Sequence, residues 1–186
     1  MILISLLCNS CEKCVHIYEA TDPRISSCFF KVGSYFIYSD TTDHIIDSQY
    51  VFLYSYLPNS VVLGGECSTY ANEYNMMQSS YRNGLLYDTI YTSTPSARAP
   101  NYLFYGVGTI GGIDGSYYPN LDTSYNNFFV GGNAYATVYK VPNCQLLYDT
   151  IPTDLYFASG YGVVKKIEHR TTGNVSWDLI RYHILQ

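Results

Sequence analysis

The sequence predicts a single all-β domain: a curved antiparallel sheet, or an open β-barrel-like half barrel, built of hairpins with little helix. Tyrosine supplies 22 of the 186 residues and aromatic residues 17%, whereas charged residues make up only 13%. Aromatic side chains favour strands, because the ring packs on the sheet while a tyrosine hydroxyl reaches water. Runs of Gly, Asn, Asp and Ser separate short apolar stretches. No segment keeps an apolar helical period for more than two turns.

The clearest strands lie in residues 154–186. Residues 155–157 and 161–168 are apolar, aromatic or β-branched, and Ser159-Gly160 separates them. Residues 175–184 alternate with period two, which predicts a strand that closes a hairpin. The alternation places Val175, Trp177, Leu179, Arg181 and His183 on one face. We expect Trp177, the only tryptophan, to be buried with its indole N–H hydrogen-bonded.

The rest of the domain also predicts strands. Residues 29–38 and 46–54 form a hairpin around a turn at 40–43. Residues 70–81 favour a long strand before an Asn83-Gly84 turn over the alternative of a helix. Further strands are predicted at 85–91, 101–110, 128–130 and 134–141, with a long loop at 111–127. Residues 85–90 recur unchanged at 146–151. We interpret this repeat as strand-edge chemistry, in which Asp-Thr bonds the backbone, rather than as a duplication.

The first eleven residues predict a lipoprotein signal segment. Residues 1–7 are uncharged and apolar but too short to cross a bilayer. A small residue, Ser10, then precedes Cys11, and this resembles the end of the lipoprotein signals common among Bacteroidetes. The resemblance implies lipidation of Cys11, a tether at 12–24, and a folded domain at 25–186.

The cysteines also allow a metal site, because Cys8, Cys11 and Cys14 are spaced as in zinc or iron–sulfur proteins. No second C-x-x-C motif follows, so we predict no metal and no cofactor. Removal of the signal would leave four cysteines in an oxidising compartment, where three disulfide pairings are possible. The four are Cys14, Cys28, Cys67 and Cys144.

Both ends of the domain carry a recognisable sequence pattern. The opening reads Lys-Val-Gly-Ser-Tyr-Phe-Ile-Tyr from residue 31, followed by Asp-Ser-Gln-Tyr-Val from residue 47. The ending reads Tyr-Phe-Ala-Ser-Gly-Tyr-Gly-Val-Val-Lys from residue 156, followed by Trp-Asp-Leu-Ile-Arg-Tyr from residue 177. Together these patterns resemble a family of uncharacterised β-rich Bacteroidetes lipoproteins. The resemblance implies a curved antiparallel sheet and an envelope location, in an outer-membrane lipoprotein. It also implies that Gly33, Gly160, Gly162 and Trp177 specify the fold rather than a reaction.

Charge and motif content narrow the function classes. The net charge of −5 and scattered basic residues argue against nucleic-acid binding. No nucleophile elbow, phosphate loop or paired-histidine metal motif is present. His169 and His183 could face each other across the final hairpin, which favours an exposed cross-strand pair over the alternative of a zinc pair. A glycan hydrolase that uses paired aspartates remains an alternative. Its candidate residues are Asp88, Asp114, Asp122 and Asp149.

The sequence therefore favours a non-enzymatic envelope lipoprotein that binds a small ligand, a glycan or a protein. The membrane would be reached through the lipid anchor. Binding is expected through a concave sheet or through the loop tyrosines Tyr117, Tyr118 and Tyr125, because tyrosines commonly stack on sugars or contact partners. A structural subunit of a fibre or surface layer is a further alternative, suggested by the tyrosine-rich, weakly charged composition.

Overall fold

The computed structural model describes residues 17–19, 23–62, 69–94, 103–107, 114–118, 123–144 and 151–186. These residues form twelve strands and one short helix, which confirms the predicted all-β class. The elements are β1 (Ile17–Glu19), α1 (Pro23–Ser26), β2 (Tyr35–Asp40), β3 (Ile46–Val62), β4 (Thr69–Arg82), β5 (Leu85–Ser93), β6 (Leu103–Val107), β7 (Asp114–Tyr118), β8 (Thr123–Val130), β9 (Asn133–Cys144), β10 (Thr153–Ala158), β11 (Gly162–Arg170) and β12 (Gly173–His183).

All the strands belong to one sheet, ordered β7-β6-β5-β4-β3-β2-β12-β11-β10-β9-β8. Two antiparallel meanders, β2–β7 and β8–β12, are joined where β2 pairs with β12. The opening and closing segments of the domain therefore lie side by side at the centre of the sheet. β1 pairs in parallel with the start of β4, so part of the segment predicted as a tether pairs with the sheet.

The sheet is strongly curved and is not closed into a barrel. Arg82 on β4 and Glu168 on β11 are four strands apart, yet Nη2 and Oε1 lie 3.0 Å from each other. A flat sheet would separate those strands by about 19 Å, more than the two side chains together can span. β-Bulges interrupt the pairing at several points, including β3 with β4 and β12 with β2, and bulges bend strands.

The concave face encloses the core. Its largest fully buried side chains include Trp177, Tyr38, Phe30, Phe36, Leu155 and Leu179. The residues that follow α1 cross this face, where the Phe30 ring packs on Phe36 with centroids 5.0 Å apart. Tyr38 reaches across β12 and donates its hydroxyl hydrogen to the Val163 carbonyl at 2.8 Å. The curved sheet thus buries its apolar side chains within its own concave face, whereas most β domains bury them between two packed layers.

The strand interpretation of residues 70–81 is confirmed, since they lie within β4 and are followed by a turn at Asn83-Gly84.

The prediction of a loop at 111–127 is wrong. That segment contains β7 and the beginning of β8. The described β8 side chains from Thr123 to Asn127 are exposed, and an edge strand tolerates such a polar pattern because only one of its sides is paired.

The face alternation predicted for β12 fails beyond Leu179. A bulge shifts the register between Leu179 and Arg181, and such an extra residue reverses the faces of all that follow. Tyr182 therefore packs on the core, whereas Arg181 and His183 are exposed. His183 stacks on Tyr35, with ring centroids 5.6 Å apart, instead of facing His169.

Trp177 is only 1% exposed, as predicted, but the expected hydrogen bond of its indole is wrong. Its Nε1 is buried and has no acceptor within the described part of the chain. The ring is instead flanked by two cations. The Arg82 guanidinium carbon lies 4.7 Å from the ring centre and the Lys166 ammonium 5.5 Å from it.

Two glycines mark close approaches of the backbone. Gly162 has φ +75°, and a Cβ there would lie 2.9 Å from the Phe30 ring. Gly131, in the β8–β9 turn, has φ +56°, and a Cβ would lie 1.9 Å from the Leu179 carbonyl oxygen. Gly33 and Gly160 also have positive φ. The β8–β9 turn thus packs so closely against β12 that no side chain fits at Gly131.

Among the described residues, no helix combines the length and the apolar character that crossing a bilayer requires.

Candidate functional site

Alternate residues of β4 line the concave face and divide it into three zones. Tyr74, Met76, Gln78, Ser80 and Arg82 follow one another along the strand on the same side. The aromatic end opens into a groove, the middle borders a small cavity, and Arg82 lies in a cluster of charges. Eight residues of strand separate Tyr74 from Arg82, about 26 Å.

The groove has a volume of about 300 Å³ and is lined by Ser26, Ser27, Phe29, Lys31, Tyr54, Tyr74 and Gln186. Its aromatic wall is rigid because the Tyr74 ring packs between two others. The centroids of Phe29 and Tyr56 lie 5.4 and 4.9 Å from that of Tyr74. Burial, and secondarily Tyr56, raises the pKa of the half-buried Tyr54 hydroxyl, so this phenol is a neutral donor at physiological pH.

The opposite rim of the groove is polar. Lys31 Nζ donates to the main-chain oxygen of Gln186 at 2.7 Å. Ser27 Oγ shares a hydrogen bond with Ser159 Oγ at 2.8 Å. The groove is at the lower end of the size range for ligand pockets, and it combines aromatic walls with a few polar groups. These features are typical of a site for a small ring-shaped ligand.

The small cavity lies in the middle of the concave face, where β3 and β4 present Gln49 and Gln78. Its volume of about 20 Å³ is enough for about one water molecule. Phe36, Met76 and Phe157 also line it. Its size excludes any larger ligand.

The charged cluster comprises Asp47, Arg82, Lys166, Glu168 and Arg170 at the other end of the concave face. Lys166 Nζ lies 2.7 Å from Asp47 Oδ2, and these two side chains are 9% and 1% exposed. Arg82 and Arg170 both bond the Glu168 carboxylate. Every carboxylate of the cluster is therefore paired with at least one cation, as buried charges require.

Asp47 is held in its ionised form. Its burial alone would raise its pKa, but the Lys166 ammonium and three hydrogen bonds together lower the pKa below the ordinary value. The hydrogen bonds come from Lys166 itself, from Ser80 Oγ at 2.7 Å and from Gln49 Nε2 at 3.1 Å. An aspartate in this state accepts hydrogen bonds and cannot act as a general acid near neutral pH.

The tyrosines predicted to bind a ligand do not lie in loops. Tyr117 and Tyr118 belong to β7, and their side chains are outside the described structure. Tyr125 belongs to β8 and is 39% exposed. Its ring contacts Phe128 and Tyr156, with centroids 5.9 and 6.1 Å away. The loop placement was wrong, and a binding role for the three residues stays a prediction.

A second charge network lies beside Tyr156. The buried Asp154 carboxylate accepts from Lys140 Nζ at 2.7 Å and from the Asn143 main-chain N–H at 2.9 Å. His169 Nε2 lies 3.3 Å from the same carboxylate. Burial would raise the pKa of Asp154, but these partners outweigh it and lower that pKa. All these bonds lie within the protein, so the network fixes the ends of β9, β10 and β11.

Other predicted residues fall partly outside the description. Cys11, Asp122 and Asp149 are not described, and the side chain of Asp114 is not either. Asp88 Oδ1 accepts the Thr89 main-chain N–H at 2.7 Å, which is the strand-edge bond predicted for the repeat. The paired-aspartate hydrolase and the disulfide pairing thus stay predictions. Cys28 is buried, and its Sγ lies 3.3 Å from the Arg24 carbonyl oxygen.

The described residues hold no group of three or more His, Cys, Asp or Glu side chains placed to bind a metal.

Sequence reasoning missed both ends of the concave face. Tyr54 and Tyr74 are 20 residues apart, and Asp47 and Lys166 are 119 residues apart. Only strand register and curvature bring these pairs together. The alternation of Tyr50 and Tyr54 along the predicted strand could not reveal the groove, because a bulge between Val51 and Leu53 puts these two tyrosines on opposite faces.

No protein-family model matches the chain, and no curated protein or solved structure shows significant similarity to it.

Proposed function

We propose that this protein is a non-enzymatic lipoprotein of the cell envelope that binds a sugar ring in the groove at the aromatic end of its concave face. The observation that carries the binding role is the groove itself. It joins a half-buried aromatic wall, built on Tyr54 and Tyr74, to a polar rim with Lys31. The envelope location rests on the lipoprotein-like sequence around Cys11.

A sugar ring fits this arrangement better than a flat apolar ligand. Pyranose rings have an apolar face of C–H groups that packs on aromatic rings, and hydroxyls that need hydrogen-bond partners around their edge. Tyr54 and Tyr74 supply the first surface. The serine hydroxyls, the Lys31 ammonium and the Gln186 side-chain amide supply donors and acceptors for the second.

Binding is tested by titrating the protein with methyl pyranosides of glucose, galactose and N-acetylglucosamine, followed by saturation-transfer NMR and calorimetry. Tyr54→Ala removes part of the stacking wall and is expected to weaken binding about tenfold, equivalent to about 1.4 kcal/mol. Tyr54→Phe keeps the ring and is expected to retain most of the affinity.

Tyr50→Ala is the matched control, because Tyr50 is an exposed tyrosine of the same strand on its opposite face. It is expected to leave binding unchanged, and Tyr125→Ala is expected to do the same if the groove is the site. Loss of binding in Tyr125→Ala but not in Tyr54→Ala would move the site to β8. Absence of binding by all the pyranosides would reject a sugar ligand for the groove.

The anchor is tested separately by expressing the full chain with its natural upstream sequence and measuring the mass of the mature protein. Diacylglyceryl attachment at Cys11 and partition into detergent are expected. Cys11→Ala should abolish both, whereas Cys8→Ala should abolish neither. A mature protein that starts at an unlipidated Met1 would reject the lipoprotein assignment and leave the groove untouched.

A further inference from the structure

Two buried donors that find no acceptor among the described residues lie at the charged end of the concave face. They are the indole N–H of Trp177 and the Nε–H of Arg82, and neither finds a partner in the described chain. The guanidinium carbon of Arg82 lies 4.7 Å from the Trp177 ring centre. A buried N–H without a partner loses a hydrogen bond to water on folding. Two such losses at one place therefore indicate a site for an acceptor.

The surroundings of these donors favour a negative acceptor. The charged cluster contains three cations, Arg82, Lys166 and Arg170, against two carboxylates, Asp47 and Glu168. Asp40, which is 2% exposed, also acts electrostatically on Arg170, and its hydrogen bonds from the main-chain N–H groups of Thr42 and Asp43 leave its negative charge in place. Arg82 and Arg170, however, share the single carboxylate of Glu168.

The Arg82 guanidinium is held by two aromatic rings and by Glu168. Its guanidinium is stacked between Trp177 and Tyr87, whose ring centre lies 3.7 Å from the guanidinium carbon. Its Nη2 is held by Glu168 at 3.0 Å, which leaves Nε–H directed elsewhere. Tyr87, whose ring lies against the guanidinium, is 55% exposed.

We propose that this end of the concave face binds a carboxylate group, which accepts one hydrogen bond from Arg82 Nε and one from Trp177 Nε1. A carboxylate has two acceptor oxygens and no hydrogen to donate, and it matches a guanidinium edge. A water molecule would neutralise no charge. The site is about 26 Å from the groove along β4, and it does not depend on the function proposed for the groove.

The shared chemistry is a carboxylate, which an acidic sugar or the end of a peptide can both provide. The probes are therefore sodium formate for the bare group, glucuronate for the acidic sugar, and N-acetylglycine for the peptide end. Sodium chloride at matched ionic strength is the salt control. Because Trp177 is the only tryptophan, its indole gives a single Nε1–Hε1 signal in a ¹H–¹⁵N spectrum of the whole chain.

The expected result is a saturable shift of that signal with formate, and no saturable shift with chloride. Tighter binding of glucuronate or N-acetylglycine than of formate identifies the source of the group. Arg82→Lys keeps the charge but removes Nε–H, and is expected to weaken binding at least tenfold. Lys165→Gln is the matched control, since Lys165 pairs with Asp178 at 2.7 Å on the opposite face of β11, and it should leave binding unchanged.

Three results would overturn the proposal. The first is an indole signal that formate, glucuronate and N-acetylglycine do not move, or move only linearly with concentration. The second is an equal saturable response to chloride, which would make the site a general anion or salt effect. The third is equal affinity in the wild type and in Arg82→Lys with the spectrum otherwise unchanged, which excludes loss of the fold as the reason.

Discussion

Replacing Lys166 by Met tests the charged cluster most directly. The change removes the ammonium that lies 2.7 Å from Asp47 and keeps a side chain of similar length. Asp47 is 1% exposed on its side chain, so its carboxylate would remain buried with only Ser80 and Gln49 as hydrogen-bond donors. Removing one partner of a buried ion pair costs about 3–5 kcal/mol. Because the hydrogen bonds from Ser80 and Gln49 remain, we expect a loss of folding stability near the lower end of this range, about 3 kcal/mol.

The assay is urea unfolding at pH 7, followed by the fluorescence of Trp177 and by far-ultraviolet circular dichroism. With a denaturant dependence of about 2 kcal/mol per molar urea, the midpoint should fall by about 1.5 M. Asp47→Asn combined with Lys166→Met should recover most of the loss. An asparagine still accepts from Ser80, and the Gln49 amide can turn over to accept from it.

The stability difference between the wild type and Lys166→Met should also depend on pH in a definite direction. A carboxyl whose pKa is lowered by folding adds stability that is complete above its unfolded value, near 4, and is lost as the pH falls through the folded value. The Asp47 pKa is lowered, so the wild type should lose this stability only in acid. In Lys166→Met the ammonium no longer offsets burial, so the pKa of the Asp47 carboxyl should rise above its unfolded value of about 4, and the gap between the two proteins should begin to narrow above that pH and narrow further in acid. A loss under about 1 kcal/mol at pH 7, or a gap that widens in acid, would refute the buried pair.

Three further changes test other parts of the fold. Gly131→Ala should cost more than 3 kcal/mol, because its Cβ would meet the Leu179 carbonyl oxygen, whereas Gly132→Ala, with open space around it, should cost only about 1 kcal/mol of left-handed backbone strain. Tyr135→Phe should leave the stability at pH 7 equal or slightly higher, because its buried hydroxyl has no partner in the described structure. Burial raises the pKa of Tyr135 to about 12, so wild-type stability should fall between about pH 10 and 12, and this change should remove that slope. Asp154→Asn should destabilise the protein above about pH 4 and have little effect in stronger acid, because its pKa is lowered by its lysine and histidine partners.

Each of these is measured by denaturant unfolding across the stated pH range. Equal costs for the two glycine changes would contradict the contact between the β8–β9 turn and β12. A marked loss in Tyr135→Phe would show that its hydroxyl is hydrogen-bonded. A pH-independent effect of Asp154→Asn would show that its charge is not what stabilises the strand ends.

The fold class and most strand positions follow from the sequence, because they depend on local chemistry. The sequence predicted β4, β9 and the three closing strands. The signals were alternating apolar and polar residues, β-branched and aromatic side chains, and Asn-Gly or Gly-Gly turns. Burial of Trp177 followed for the same reason. Polar strands at the sheet edge carry no such pattern, so the sequence predicts a loop where β7 and the first part of β8 lie. Their pairing with neighbouring strands decides their structure.

The candidate sites could not be predicted, because they are made by register and curvature. One extra residue at the β12 bulge reverses the faces of Arg181 and Tyr182, and alternation alone cannot reveal it. The curvature that brings Arg82 to Glu168 arises from the twist and bulges of the whole sheet. The sequence by itself determined that this chain forms hairpins with a buried tryptophan. Only the tertiary structure decided that Arg82 lies against the ring of this tryptophan, since that contact joins β4 and β12, which are three places apart in the sheet.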